Sequence, residues 1–97
     1  MRTAVIGLGK VAERIHLPAC KSVSEIELIA ASDTSEERRR AMKDQFSIAN
    51  VYADSLEMIE KEKPELVIIG TPPEFHKSLC LAAMRSGADV LCENRLF

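Results

Sequence analysis

Apolar runs alternate with amphipathic segments almost from one end of the chain to the other. The apolar runs are residues 2–7 (RTAVIG), 26–33 (IELIAASD), 64–71 (PELVIIGT) and 88–93 (ADVLCE). Each run is continuously apolar, which is typical of parallel strands that helices cover on both faces. Helices are predicted between these strands by the amphipathic segments at 10–22, 34–46, 55–63 and 74–86.

Polar residues and a proline set the expected helix boundaries. Asp33 or Thr34 is expected to cap the second helix, and Asp54 or Ser55 the third. Pro18 lies late in the first helix, where its ring and missing N–H predict a kink or a division. One buried face of the last helix is predicted from the spacing of Phe75, Leu79, Ala82 and Ala83.

Strands that alternate with helices at this spacing predict right-handed crossovers and a parallel sheet. Residues 50–52 (NVY) fit a short extra strand between the second and third helices. The predicted fold is therefore α/β, a Rossmann-type doubly wound sheet of strand order 3-2-1-4-5, in one domain over residues 1–97. We expect its sixth strand to be absent, which would leave residues 88–93 as an exposed apolar edge open to self-association.

The composition excludes several classes of protein. With 46% hydrophobic and 29% charged residues, the chain is neither disordered nor fibrous. Its net charge of -2 provides no basic surface for nucleic acid, and no apolar run approaches the roughly 18 residues that cross a membrane. Residues 1–7 lack the features of a secretory signal, so a cytoplasmic location is expected. Cys20, Cys80 and Cys92 lack CxxC spacing; we expect no metal site and interpret them as small apolar residues in a reducing compartment.

A glycine-rich motif, GLGKVA at residues 7–12, follows the first strand and opens the first helix. In this GxGxxA pattern, Gly7 allows a tight turn, Gly9 lets the backbone approach a pyrophosphate, and Ala12 packs closely on the sheet. Amides at the start of the helix would bind the phosphates. Asp33 ends the next strand 21 residues after Ala12, where an acidic residue contacts the adenosine ribose. These features together predict that the chain binds a dinucleotide cofactor.

Asp33 has two interpretations. Its carboxylate could accept hydrogen bonds from ribose hydroxyls or cap the second helix, and one carboxylate could serve as either. A like charge about 4 Å away repels by about 4 kcal/mol near a protein surface, so Asp33 should disfavour a ribose 2′-phosphate, and NAD is predicted over NADP. Arg38, Arg39 and Arg40 could reach back to such a phosphate. A run of charges on a helix is usually a solvated face, which is the interpretation we favour.

A rigid turn is predicted at residues 70–76, GTPPEFH, where the fourth strand ends beside the switch point of the sheet. Pro72 and Pro73 end the strand, because neither donates a ladder hydrogen bond. This turn occurs together with GLGKVAERIHLP at 7–18 and ADVLCEN at 88–94. In these motifs and their order, the chain resembles the N-terminal domain of the glucose-fructose oxidoreductase, inositol dehydrogenase and MocA (Gfo/Idh/MocA) family of NAD(P)-dependent oxidoreductases.

The resemblance implies a cofactor site that can be placed residue by residue. The glycine turn would hold the pyrophosphate, Asp33 the adenosine ribose, and Glu93 would lie near the nicotinamide ribose. Neither His16 nor His76 is expected to be catalytic; His16 could simply pack with Pro18, and His76 could bond the backbone of its own turn. The complete set of implied cofactor contacts is Gly7, Leu8, Gly9, Lys10, Val11, Asp33, Thr71, Pro72, His76 and Glu93.

The sequence departs from the family pattern at Asn94 and Arg95. Members typically have Glu-Lys-Pro-Leu after this strand, where the Lys contacts the nicotinamide side and helps to place substrate or move a proton. Asn94 stands at the Lys position and donates hydrogen bonds, but it is neither an acid nor a cation. No catalytic residue is therefore assigned within the chain. Loss of one nucleotide from the Lys-Pro codons would produce Asn-Arg, and natural divergence is the rival explanation.

The resemblance implies an oxidoreductase that transfers a hydride between NAD(P) and a sugar, cyclitol or related alcohol or carbonyl. The family's second domain, which contacts the small-molecule substrate, is expected to be absent, so we expect residues 1–97 by themselves to be inactive. The alternative is a non-catalytic module, a sensor or a remnant, that binds a dinucleotide or a partner protein. Neither nucleic acid nor a membrane is expected as a partner.

Overall fold

The computed structural model describes residues 1–92, which form a parallel five-stranded sheet with helices on both faces. Its strand order, β3-β2-β1-β4-β5, confirms the predicted α/β fold and the predicted order. The strands are β1 (Arg2–Ile6), β2 (Glu27–Ser32), β3 (Asn50–Tyr52), β4 (Leu66–Ile69) and β5 (Asp89–Cys92). The helices are α1 (Leu17–Ser22), α2 (Glu36–Phe46), α3 (Ser55–Glu62) and α4 (His76–Arg85).

β1, β2 and β4 end slightly earlier than predicted, and this leaves three polar or glycine loops above the carboxyl edge of the sheet. Gly7 follows β1, Asp33 follows β2 and Gly70 follows β4. Their amides still continue the ladder: Gly7 donates to the Ser32 carbonyl at 2.8 Å, and Gly70 donates to the Ile6 carbonyl at 2.9 Å. These bonds fix the three loops relative to one another.

The first helix is divided, as Pro18 predicted. A π-helical turn at Ala12–His16 precedes α1, and the Leu17 amide donates to the Ala12 carbonyl five residues back. A proline has no N–H for the carbonyl four residues earlier, and its ring crowds that carbonyl. The wider turn accommodates both effects, and such turns are frequent at functional sites.

The cap of α2 differs from the prediction. Ser35 is the N-cap residue, and its hydroxyl accepts a hydrogen bond from the Arg38 amide at 3.2 Å. Asp33 and Thr34 were therefore the wrong candidates. Asp54 caps α3 as predicted, because its carboxylate accepts from the amides of Leu56 and Glu57. Both caps satisfy amides that lack a partner within their helices.

Two apolar layers cover the faces of the sheet. The layer on the α3 and α4 side includes Ala4, Ile6, Met58, Val67, Ile69 and Ala83. The layer on the α1 and α2 side includes Val5, Leu8, Leu17, Cys20, Met42 and Ile68. The alternation of β1 residues between the layers follows from the two-residue period of a strand.

Phe75 does not join the buried face predicted for α4. It lies in a 3-10 turn at Pro73–Phe75 that precedes the helix, and 53% of it is exposed. Ala83 is fully buried, and Leu79 and Ala82 pack partly against the same layer. The turn rotates Phe75 out of the helical register, which the apolar spacing alone did not indicate.

β5 forms an edge of the described sheet. It pairs in parallel with β4, so that Val67 lies opposite Val90 and Ile68 opposite Leu91. Leu91 is 55% exposed, in agreement with the predicted apolar edge. Glu93, the last residue of the predicted strand, lies outside the described residues. Within residues 1–92, no helix is long and apolar enough to cross a membrane.

Candidate functional site

A crevice of about 630 Å³ opens at the carboxyl edge of the sheet, where the ends of β1, β2 and β4 meet. In doubly wound sheets this edge, at the point where the strand order reverses, is where ligands bind. The walls come from the loops after these strands and from the starts of α3 and α4. Predicted site residues that line the crevice are Gly7, Gly9, Asp33, Thr71 and Pro72.

Gly7 makes the turn from β1 into the glycine loop, and two features require a glycine there. Its φ is +95°, a backbone conformation that other residues rarely adopt. A Cβ atom would also lie 3.2 Å from both the carbon and the oxygen of the Gly70 carbonyl and 3.3 Å from Cγ2 of Thr71. Gly7 therefore lets two loops of the crevice pack against each other.

The space around Gly9 is open, whereas a side chain at Gly7 would meet neighbouring atoms. It lines the crevice, its φ is not positive, and a Cβ atom there would have no neighbour within 4 Å among the described residues. Among residues 1–92, the Gly9 and Lys10 amides have no hydrogen-bond acceptor, as expected at the first turn of a helix. Free amides beside open space are what a phosphate group needs.

Leu8 supports the loop from behind and does not line the crevice. Its side chain is fully buried in the layer under α1 and α2. Its amide donates to the Asp33 carboxylate at 2.7 Å and is no longer available to a ligand. Leu8 therefore has a supporting role in the loop, and its implied contact with a cofactor stays a prediction.

Asp33 links the glycine loop to the start of α2. One carboxylate oxygen accepts from the Leu8 amide at 2.7 Å, and the other accepts from the Ser35 amide at 2.8 Å. A carboxylate offers about four acceptor positions, so two bonds leave positions for ribose hydroxyls. The helix-cap interpretation of Asp33 is wrong, because Ser35 is the N-cap residue of α2, and the ribose contact of Asp33 stays a prediction.

The three arginines do not form a solvated face, contrary to the favoured interpretation. Arg38 donates through Nε to the Leu8 carbonyl at 2.7 Å, and Arg39 donates to the Asp33 carbonyl at 2.8 Å. Arg40 alone follows the expectation, in an exposed ion pair with Glu36 one turn earlier in the same helix. The helix start lies against the glycine loop, which brings the first two guanidinium groups back to backbone carbonyls.

An ion pair joins Arg38 to the π-helical turn. Its Nη2 lies 2.9 Å from a carboxylate oxygen of Glu13. The hydrogen bond from Arg38 lowers the pKa of Glu13 below its ordinary value, so this carboxylate stays charged at neutral pH. Glu13 and the carbonyls therefore present Arg38 with acceptors from two sides.

Thr71 places an unsatisfied polar atom in the crevice wall. Its hydroxyl oxygen is buried and has no hydrogen-bond partner among the described residues. Buried polar atoms almost always have a partner, so this hydroxyl is an exception that needs an explanation. Since Thr71 lines the crevice, a ligand or a water at this wall would supply the missing partner.

We expect Thr71→Val to separate binding from stability. The substitution keeps the shape and removes the orphan hydroxyl, so the free energy of unfolding should stay within about 0.5 kcal/mol of wild type or rise. Affinity for a dinucleotide should fall about threefold to tenfold. The matched control is Thr3→Val. The hydroxyl of the fully buried Thr3 donates to the Met1 carbonyl, and loss of this hydrogen bond should destabilise the fold. A loss of stability in Thr71→Val equal to that in Thr3→Val would contradict this interpretation.

The remaining implied residues are placed as follows. His76 donates a ring N–H to the Thr71 carbonyl, which is the backbone bond considered as the alternative to a cofactor contact. Lys10 and Val11 begin the first helix beside Gly9, with Lys10 exposed. Glu93 lies outside the described residues. His16 is half-buried at the end of the π-helical turn.

Several crevice residues were missed by sequence reasoning. Ser32 and Ser55 share a hydrogen bond of 2.8 Å between their hydroxyls, which joins the end of β2 to the start of α3. Leu56 and Phe75 are more than half exposed at the crevice and offer apolar surface to a planar group. The signal available in the sequence was the position of these four residues at the end of a strand or near the start of a helix, because those segments meet at the carboxyl edge.

Comparison with known families identifies the chain. A family model described as GFO_IDH_MocA, "Oxidoreductase family, NAD-binding Rossmann fold", matches residues 1–94. The chain belongs to this family. The resemblance inferred from the motifs is confirmed, and the chain is an NAD(P)-binding Rossmann domain of the Gfo/Idh/MocA type.

A glucoside dehydrogenase and inositol dehydrogenases are among the relatives to which the chain is similar. The chain is 31% identical over 93 residues to D-glucoside 3-dehydrogenase of Escherichia coli K12, covering 96% of this chain and 26% of the relative. It is 33% identical over 96 residues to myo-inositol 2-dehydrogenase of Thermotoga maritima, covering 99% of this chain and 28% of that relative. The crystal structure of myo-inositol 2-dehydrogenase from Lactobacillus plantarum superposes with a TM-score of 0.91 at 28% identity, covering 97% of this chain and 28% of that chain. This chain therefore spans about a quarter of the length of the relatives it matches.

The described residues fit the cofactor of a Gfo/Idh/MocA protein. The space above Gly9 would admit a phosphate close to the backbone. The free Gly9 and Lys10 amides would donate to its oxygens, which are acceptors only. The Asp33 carboxylate retains acceptor positions for ribose hydroxyls. The buried Thr71 hydroxyl has no hydrogen-bond partner among the described residues. These three features lie along one crevice, as a dinucleotide requires.

Proposed function

We propose that this chain is the cofactor-binding part of a dehydrogenase that moves a hydride between a nicotinamide dinucleotide and a sugar, cyclitol or related alcohol or carbonyl. The observation that carries the proposal is the open, amide-lined space at Gly9 beside the Asp33 carboxylate. The substrate class is supported by the names of the relatives, a glucoside dehydrogenase and an inositol dehydrogenase.

Each part of the cofactor has a proposed set of contacts. The Gly9 and Lys10 amides bind the pyrophosphate, with Gly7 and Val11 on either side and Leu8 behind. The Asp33 carboxylate accepts from the adenosine ribose, and Thr71, Pro72 and His76 lie along the rest of the cofactor, with Glu93 near the nicotinamide ribose. The bound dinucleotide supplies the hydride acceptor or donor. The chain's own residues bind it, orient it and shield one of its faces from water.

NAD is the proposed cofactor in preference to NADP. Asp33 lines the crevice, and its negative charge repels a 2′-phosphate at the adjacent ribose. Arg39 reduces this preference, because its guanidinium lies 2.8 Å from the Asp33 carbonyl oxygen and brings a cation to the same rim. The preference for NAD over NADP should therefore be smaller than the Asp33 charge alone would produce.

Asp33→Asn tests this preference. The ratio of NADPH affinity to NADH affinity should rise about tenfold, because the substitution removes the repulsive charge. Stability should fall by about 1 to 2 kcal/mol, because an amide group cannot accept from both the Leu8 and Ser35 N–H groups. Nucleotide fluorescence titrations measure both affinities, and Asp44→Asn on the exposed side of α2 is the control. An unchanged ratio in Asp33→Asn would exclude Asp33 as the selective group.

Residues 1–97 are proposed to form one cofactor domain, with substrate contacts and the catalytic acid and base supplied from outside them. A second candidate, a non-catalytic dinucleotide-binding module, is favoured by Asn94 at the position where the family pattern has Lys. A cytoplasmic location is part of the proposal, since Cys20 and Cys80 form no disulfide within residues 1–92, as in a reducing compartment. The proposed protein partner is a second copy of this chain, which would associate through the exposed β5 edge.

A further inference from the structure

Arg38 holds the glycine loop from outside the crevice. Its Nε donates to the Leu8 carbonyl at 2.7 Å, and Nη2 lies 3.4 Å from the Gly9 carbonyl oxygen. Nη2 also donates to Glu13 at 2.9 Å and lies 3.8 Å from the Met42 sulfur. The guanidinium thus contacts the loop, the π-helical turn and its own helix, while the Arg38 side chain stays 31% exposed and does not line the crevice.

The direction of the Leu8 carbonyl determines the direction of the next amide. In a trans peptide the C=O and the following N–H point in opposite directions, and the described residues contain no cis peptide bond. The Leu8 carbonyl points toward Arg38, so the Gly9 N–H points away from Arg38. Gly9 lines the crevice and its amide has no acceptor among the described residues, so the amide is left open to a ligand in the crevice.

Leu8 is fixed on its other side as well. The Asp33 carboxylate accepts from the Leu8 amide, and the Leu8 side chain is fully buried. Asp33 and Arg38 both belong to the segment that follows β2, one immediately after the strand and the other in the first turn of α2. The segment that contacts the ribose therefore also sets the orientation of the loop that contacts the pyrophosphate.

We propose that Arg38 is a positioning residue for dinucleotide binding, which orients the Gly9 amide toward the pyrophosphate without contacting the cofactor. The inference rests on the proposed function of the crevice. Lysine would not replace Arg38 fully, because a single ammonium lacks the planar fork that reaches the Leu8 carbonyl and Glu13 together.

The test compares Arg38→Met with wild type in ¹⁵N-labelled protein titrated with NADH and, separately, with adenosine, which lacks phosphate. Arg38→Met should weaken NADH binding about tenfold, because an oriented bond to a charged phosphate is lost, and change adenosine affinity less than about twofold. The amide resonance of Gly9 should shift on NADH addition in wild type and lose most of that shift in the variant. Arg38→Lys should give an intermediate loss that is again restricted to NADH.

The matched control is Arg40→Met, which removes an exposed arginine from the same helix and should behave as wild type. A parallel loss of NADH and adenosine binding in Arg38→Met or Arg38→Lys would show a general structural role and overturn the proposal. Unchanged NADH affinity would also overturn it while leaving the proposed function intact. Absence of NADH binding by the wild-type chain would overturn both. If Arg38→Met does not fold, Arg38→Lys decides between these results.

Discussion

Gly7→Ala should lower the free energy of unfolding by about 2 to 4 kcal/mol, a large part of the 5 to 15 kcal/mol that stabilises a typical domain. A φ of +95° strains any residue with a Cβ atom. The new methyl group would also press on the Gly70 carbonyl at 3.2 Å, and this neighbour is backbone held by the Gly70 to Ile6 hydrogen bond. Neither loop has room to move without breaking the ladder.

Gly87→Ala is the matched control for this substitution. Gly87 has the same φ of +95°, but a Cβ atom there would meet nothing within 4 Å among the described residues. It should therefore cost only the conformational strain, about 1 to 2 kcal/mol. Urea denaturation followed by circular dichroism measures both variants. Equal losses of stability would show that the contact between Gly7 and Gly70 contributes nothing and that the close approach of the two loops is wrongly described.

Gly9→Ala should have the opposite profile, with binding lost and the fold retained. The Gly9 backbone does not have a positive φ and a Cβ atom there has open space, so stability should be unchanged or should rise by about 0.4 to 1 kcal/mol through the less flexible unfolded chain. The open space is where a pyrophosphate would approach the backbone. A methyl group in that space should weaken NADH binding at least about tenfold.

The pair of glycine variants separates two roles within one motif. Gly7→Ala tests the packing of the loops, and Gly9→Ala tests the space reserved for the ligand. Fluorescence titration with NADH, at a temperature where each variant is folded, gives the affinities. NADH affinity of Gly9→Ala equal to that of wild type would remove the glycine loop from the binding site.

The fold was largely predictable because it depends on local patterns. Continuous apolar runs, helix caps and the Pro18 signal identified the strands, most helix boundaries and the division of the first helix. The strand order followed from the doubly wound arrangement of alternating strands and helices, with residues 50–52 as the third strand. The exact ends of strands were less predictable, since the last ladder bonds, which the Gly7 and Asp33 amides donate, depend on the neighbouring strands.

Two of the errors, at Asp33 and Arg38, involve contacts between distant segments. The Asp33 carboxylate was considered as a helix cap, but one of its oxygens accepts from the Leu8 amide, 25 residues away, and the other from the Ser35 amide. Arg38 was assigned to a solvated face because its partners, the Leu8 carbonyl and Glu13, lie 25 or more residues away in sequence. Side chains that bond to distant backbone atoms leave no periodic signal in the sequence, so only the folded structure shows them.

The most direct test of the account is a ¹⁵N–¹H titration of the wild-type chain with NADH. We predict saturable shifts concentrated at Gly9, Lys10, Asp33 and Thr71, with dissociation constants lower for NADH than for NADPH. Absence of shifts up to about millimolar NADH, an affinity of about 4 kcal/mol, would contradict the assignment of the crevice as a cofactor site. Saturable shifts confined to the far side of the sheet, with none at Gly9, would contradict it as well.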